Sequence, residues 1–375
     1  MQISDQGIIN RGQPNTPRAF STFPALTPLA DGSLLATYRV GSSKDSADGT
    51  IELKRSADGG QSWSDPATPF ATILNGLNGS LRVGYITDLG GNGHLLLAAL
   101  WVDRQTYPGQ PLFNEETEGC LPMEIVLADS HDLGRTWSDW RVVPVPPDVG
   151  PPSLTNPVLI LPSGRLALSI ETNKTYLDRG QWLQRVVYLY SEDQGQTWGD
   201  PVTTCQDPTG RIFNWDQRAG VSPDGRVVTF TWTYDRQTTQ YLNIQRHLSS
   251  DEGATWSAPD DLGFPDQAAH PAILPDGRVV LAYVDRFQSH SVRARLAPAA
   301  DAPFDAATEV ELYRQTVESP QSAAGQGDTG DLLAEMGLWS FGLPFSAALP
   351  DGDVMVVYYT GDDACMEVRW ARLSL

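Results

Sequence analysis

Basic residues are scarce in this chain: 26 Lys and Arg stand against 46 Asp and Glu in 375 residues, a formal charge of -20. Binding to a polyanion draws on clustered cations. No run of Lys or Arg occurs, so nucleic acid is excluded as an expected partner. Cysteine is nearly absent as well. Cys120, Cys205 and Cys365 are odd in number and far apart, which supplies neither a disulfide framework nor a metal knuckle; isolated thiols are expected. No apolar run reaches the roughly 18 residues of a membrane-spanning helix, so no membrane partner is expected. The first eleven residues lack the basic-then-apolar order of a signal peptide. A soluble protein is expected, cytoplasmic as the sequence stands or exported if a signal has been removed. Neither an H-E-x-x-H pair nor a phosphate-cradling glycine loop is present, so no metal and no cofactor is expected.

What is present is a repeat. The pattern S-x-D-x-G-x-x-W occurs four times, from Ser56 to Trp63, Ser130 to Trp137, Ser191 to Trp198 and Ser249 to Trp256. Recurrence of this kind is read before any single residue. Each copy reads as a hairpin turn: the Asp side chain accepts from a backbone N–H two residues on, and the Gly supplies a positive φ. Each follows a β-branched or aromatic stretch such as "RVVYLYS", which fits a strand. Upstream of each lies a second hairpin with a Gly turn, at Asp31-Gly32, Gly91-Asn92-Gly93, Ser163-Gly164 and Asp224-Gly225. Asp276-Gly277 and Asp351-Gly352 open two further units. In the fifth, Ala297, Ala299, Asp301 and Phe304 stand at the motif spacing with Phe for Trp; in the sixth, the chain stops at the place where the motif would begin, Ser374. The expected fold is therefore all-β, a six-bladed β-propeller forming one domain over residues 1–375. The sixth unit is one strand short, and the N-terminal segment Gln6 to Gly12 is its natural donor, which would leave no open sheet edge.

The repeated motif is the Asp box, and with it the chain resembles the sialidase-like β-propeller superfamily. The resemblance implies that Asp58, Asp132, Asp193 and Asp251 are turn-formers on the outer side, away from the site. It also implies a site made of a first-blade F-R-I-P arginine within an arginine triad, an aspartate acid/base, and a Tyr–Glu nucleophilic pair. This sequence departs from that pattern. "STFPAL" puts Thr22 at the place of the first arginine, for which Arg18 or Arg39 could substitute. The first-blade loop offers Asp45, with Asp48 as its rival, for the acid/base. Counting eight residues back from the inner hairpin Asp reaches Asp216 where the family has Glu, and Leu343 where it has the nucleophilic Tyr, with no other Tyr close in sequence.

Without that Tyr, two carboxyl groups must carry glycoside chemistry. The catalytic candidates are Asp45, Asp48, Glu171 and Asp216. In a propeller the loops approaching the inner strands and leaving the next strands converge on one face. On these loops stand the candidate substrate-binding residues Arg18, Arg39, Asp103, Arg104, Lys174, Trp215, Arg218, Asp235, Arg236, His270, Asp285, Arg286 and Trp339. Three loops share an Asp-Arg dipeptide, which could equally cap strand ends. His270 could equally be a structural histidine. The second-blade insertion from Trp101 to Pro122 is long enough to wall one side of a pocket. The expected function is a glycoside hydrolase other than a true sialidase, acting on a terminal sugar of an oligo- or polysaccharide, with acidic sugars among the candidates. A non-catalytic carbohydrate-binding or assembly propeller and a polysaccharide lyase are the alternatives.

Overall fold

A computed structural model describes residues 1–316 and 328–375. Among the described residues, strands dominate; the helical elements are one α-helix, Thr329–Met336, and a single 3-10 turn, Pro147–Val149. Among the described residues no helix is long and apolar enough to cross a membrane. The strands form five sheets. Four are five-stranded and follow chain order: they cover residues 73–142, 153–206, 212–261 and 267–314. The fifth joins the two ends of the chain. In it Phe341–Ala348, Val354–Gly361 and Met366–Ser374 run next to Phe20–Pro28, Leu34–Gly41 and Thr50–Ser56, the two groups paired as strands through the single parallel bridge Phe20–Met366. The N-terminal strand Gln2–Asn10 lies antiparallel on Met366–Ser374, from Gln2 opposite Ser374 to Asn10 opposite Val368. It starts four residues earlier than the segment picked from the sequence.

The repeated turns are built identically. In the first, the Ser56 hydroxyl donates to Asp58 Oδ1 (2.8 Å) and accepts from the Gly60 N–H (2.8 Å), while Asp58 Oδ1 accepts from the Ser62 N–H (2.9 Å). The same bonds recur around Asp132, Asp193 and Asp251. The backbone donor thus lies four residues beyond the Asp, not two: the residue before each Gly also takes a positive φ, as at Gln194 (57°) and Glu252 (56°), and this lengthens the turn. The fourth Trp, Trp256, stacks on Tyr188 with ring centroids 5.4 Å apart. Phe304 fills the corresponding place in the degenerate unit, edge-on to Phe230 and Phe264.

The innermost strands are stitched to one another. Thr27 Oγ1 donates to the Ile86 carbonyl, Thr87 Oγ1 to that of Val158, and Thr155 Oγ1 to that of Gln217; the Ser346 N–H donates to the His270 carbonyl. Four inner strands also slip register at one place, between Thr22 and Ala25, Leu81 and Gly84, Trp215 and Arg218, and Gly342 and Phe345. Such bulges re-aim a side chain. Phe23, Asp216 and Leu343 accordingly have φ of 51°, 47° and 39°, a region in which non-glycine residues are rare and tend to mark functional positions. The count of eight from the inner hairpin Asp finds these three positions.

Candidate functional site

The bulges project into one cavity of about 130 Å³ at the end of the inner strands. Phe23, Arg82, Asp216 and Leu343 reach it from the bulges, and Tyr85, Glu171, Trp215, Arg218, Trp232, Gln267, Arg286, Trp339 and Tyr359 complete most of its wall. Leu333 and Met336 of the helix Thr329–Met336 and Phe113 of the second-blade insertion close it from above. That roof is anchored at both ends. The Arg236 guanidinium pairs with Glu118 of the insertion and donates to Thr329 Oγ1 at the helix start (3.1 Å). The Lys44 ammonium donates to the Met336 and Trp339 carbonyls at 2.5 and 2.9 Å.

Glu171 and Asp216 are the two carboxyl groups of the cavity wall. Glu171 ends the strand Leu166–Glu171 and is 7% exposed. Its Oε1 accepts from the Gln217 N–H (3.2 Å), which the bulge at Asp216 turns toward it. Burial, reinforced by the nearby Asp216 charge, pushes the Glu171 carboxyl up to about 8, so it keeps its proton at neutral pH. Asp216, with 13% of its side chain exposed, places both oxygens on Arg218 Nη2 (2.8 and 2.9 Å). Burial raises its carboxyl too, and Arg218 opposes that rise. Arg218 Nη1 donates to the Tyr85 hydroxyl at 3.0 Å.

The Gln217 side chain fixes the peptide that Glu171 accepts from: its Nε2 donates to Ser169 Oγ (2.9 Å) and to the Tyr188 hydroxyl (3.0 Å). Replacing it by Leu frees that peptide and removes a bond that favours the ionised form of Glu171. The Gln217→Leu variant should therefore titrate Glu171 at higher pH than the wild type, read by carboxyl NMR; an unchanged midpoint would contradict this role.

The cations are unequally paired. Arg82 Nη1 donates to Asp45 Oδ1 (2.6 Å), and Arg104 donates to the same oxygen (3.1 Å). Arg286, 1% exposed, is held by Gln267 Oε1 and the Phe341 carbonyl (both 2.9 Å from Nη2) and lies 4.0 Å over the Trp339 ring; the Asp266 carboxylate accepts from its backbone N–H (2.8 Å), and among the described residues no carboxylate bonds its guanidinium. Burial lowers it to about 10. Lys44 is also buried without a carboxylate, and burial together with Arg286 and Arg82 holds it well below the usual lysine range. Among the described residues, five buried wall atoms have no hydrogen-bond partner: Arg218 Nε, Trp232 Nε1, Gln267 Nε2, Arg286 Nη1 and Trp339 Nε1. All five are donors.

Of the residues singled out in the sequence, the structure brings Glu171, Asp216, Trp215, Arg218, Arg286 and Trp339 to this cavity. Asp45 lines the groove beside it. Burial raises the Asp45 carboxyl, but Arg82, Arg104 and Arg39 outweigh that and hold it below the ordinary value, ionised. The others lie outside the wall. Asp48 is exposed and accepts from the Ser42 N–H within its own loop. Arg39 is buried under that loop, donating to the Ser43 and Ser46 carbonyls. Arg18 pairs with Glu52. Lys174 donates to the Gly180 carbonyl.

The three Asp-Arg dipeptides divide their labour. Asp103, Asp235 and Asp285 each accept backbone N–H bonds from the turn that follows, and Asp235 also pairs with Arg211. Their arginines go three ways: Arg104 to Asp45, Arg236 to the roof and Arg286 to the cavity. His270 is at neither the cavity nor the groove. It lines the funnel at the other end of the inner strands, stacked 4.1 Å from Phe345 and pushed down to about 3 by burial, hence neutral.

Sequence reasoning missed Lys44, Tyr85, Tyr359 and Gln267. Sequence reasoning also missed Arg82, because the count of eight back from the second-blade hairpin, taken at Gly91, lands on Val83, one residue past it. Tyr359 pairs with Gly342, beside Leu343, so a tyrosine does reach the cavity from the adjacent strand. Its hydroxyl donates to the Trp339 carbonyl (3.4 Å), and burial pushes it up to about 12. Among the described residues no cluster of His, Cys, Asp and Glu could hold a metal ion.

No protein-family model matches the chain, and no curated protein matches its sequence. Solved structures do match. A protein of unknown function from Dyadobacter fermentans superposes with a TM-score of 0.74 at 19% identity, over 100% of this chain and 99% of that one. The intramolecular trans-sialidase of Ruminococcus gnavus gives 0.64 at 14% identity, over 98% and 97%. The α-L-arabinanase of Penicillium chrysogenum gives 0.67 at 17% identity, over 100% and 99%. The chain therefore has the fold of the sialidase-like propellers.

Proposed function

We propose that this chain is a glycoside hydrolase on a sialidase-like scaffold, one six-bladed propeller over residues 1–375, acting on a terminal acidic sugar. The blade count rests on six inner strands around one channel, with Gln2–Asn10 as the fourth strand of the last blade and the four Asp-box turns on the outside. The reading is carried by the pairing of Glu171 with Asp216 in one enclosed cavity. Glycoside hydrolysis needs one protonated and one ionised carboxyl group. Glu171 has no cation in contact and is the proton donor, while Asp216, with both oxygens on Arg218, is the group that ionises. As the glycosidic bond breaks, the Glu171 proton goes to the leaving oxygen and the Asp216 carboxylate stabilises the charge at the anomeric carbon. Water adds there, and one of its protons restores Glu171. Asp45, held ionised by two arginines, orients Arg82 and is not the acid. Tyr359, protonated by burial, is not the nucleophile.

The acidic sugar follows from the donor-only set of unsatisfied wall atoms and the two cations without carboxylate partners. A buried donor left unmade is costly, and a carboxylate on the substrate would satisfy Arg286, Gln267 and the indole N–H groups together. Hydrogen bonds to a charged group contribute about 1.5–3 kcal/mol. Arg286→Gln should therefore lose about 10- to 100-fold in kcat/KM on a carboxylate-bearing glycoside and little on its carboxamide analogue. Equal losses on both would remove the anion from the reading.

A further inference from the structure

Beside the cavity runs a second, larger recess of about 510 Å³, and the two share Lys44, Arg82, Phe113, Leu333 and Met336 as a common wall. A substrate whose terminal sugar occupied the cavity would lead its leaving group across that wall into the recess. The lining is mainly apolar: Phe20, Leu112, Phe113, Met336, Leu338 and Met366 contribute. Leu338, just past the helix, is 59% exposed.

The cations there, and two of the carboxylates, are already engaged. Lys44 is spent on the Met336 and Trp339 carbonyls, Arg82 on Asp45, and Asp45 on Arg82 and Arg104. Asp362 Oδ1 accepts from the Ala364 and Cys365 N–H groups. A second sugar ring would find the cationic donors of this recess committed elsewhere, and its own hydroxyls would be desolvated against side chains such as Leu112 and Met366. The rim carries four carboxylates, Asp45, Glu115, Asp362 and Asp363, which repel an anion.

We infer that this recess is the leaving-group subsite and that it takes an apolar aglycone, an alkyl or aryl chain that is neutral or cationic, so that the substrate is a glycoconjugate of an apolar alcohol. The inference rests on the glycosidase reading for its chemistry, but the binding site can be tested without turnover.

The experiment has two arms. The first titrates the neutral fluorophore N-phenyl-1-naphthylamine into the wild type, Leu338→Asp and Ile160→Asp, the last altering an exposed apolar residue at the far funnel. Saturable enhancement is expected in the wild type and in Ile160→Asp, weakened at least about tenfold in Leu338→Asp, since burial of a few methylene groups suffices for that factor. The second compares octyl and methyl glycosides of one sugar, whose leaving groups are alike in acidity. The octyl substrate is expected to have at least about tenfold higher kcat/KM, with the advantage lost in Leu338→Asp. Equal kcat/KM for the two, or fluorophore binding indifferent to Leu338→Asp, overturns the inference while leaving the glycosidase reading standing. Probe binding that depends on Leu338, with no glycoside hydrolysed, supports the apolar site and overturns the glycosidase reading instead.

Discussion

Glu171→Gln is expected to lower kcat about 10²- to 10⁴-fold, the usual contribution of a general acid, while leaving the fold and sugar binding in place. The wild type should lose activity as pH rises through about 8, where Glu171 gives up its proton. The residual activity of the variant should not follow that limb. Stability supplies an independent readout. The folded-state value of Glu171 lies above its ordinary 4.5, so its contribution to stability is fully present below about pH 4.5 and is lost as pH rises through about 8. Glutamine stays neutral throughout. The variant should therefore gain on the wild type in melting temperature between pH 5 and pH 9, a less active protein becoming the more stable one at alkaline pH. A wild-type activity profile flat across pH 8, or a melting difference independent of pH, would remove Glu171 as the proton carrier.

Arg218→Met should destabilise the protein by about 3–5 kcal/mol, the cost of leaving a buried partner charge uncompensated. Arg218 is 3% exposed and bonds both Asp216 oxygens and the Tyr85 hydroxyl. Asp216 must then bury an unpaired charge or take up a proton. Removing that charge as well, in Asp216→Leu with Arg218→Met, should recover most of the loss, because an apolar pair of similar volume can replace a buried ion pair at little cost. Denaturant midpoints of the two variants decide the matter: a double variant no more stable than Arg218→Met would show that the guanidinium acts through packing alone. Neither variant is expected to turn over substrate.

How much of this was legible in the sequence depended on how local each interaction is. The outer turns are made by a Ser, an Asp, a Gly and a further Ser or Thr within seven residues, so their recurrence announced the strands on either side. Three of the four inner bulges keep one distance from the hairpin Asp that follows, and that distance led to Asp216 and Leu343. It did not reveal Tyr359, which arrives from the next strand by the pairing with Gly342. The three Asp-Arg dipeptides read alike, and their aspartates behave alike because each caps its own turn. Their arginines differ because each answers to another blade.

The sequence by itself determined the repeat, its register and the pairing of the two ends of the chain, because backbone hydrogen bonding and side-chain alternation act over a few residues. Only the tertiary structure decided which charges are compensated. Asp45 is held ionised by Arg82 and Arg104, and Lys44 is enclosed by the carbonyls of Met336 and Trp339, nearly 300 residues away. Glu171 is left without a cation and keeps its proton. Desolvation and charge pairing depend on what surrounds a group in space, and in this fold those surroundings are drawn from distant parts of the chain.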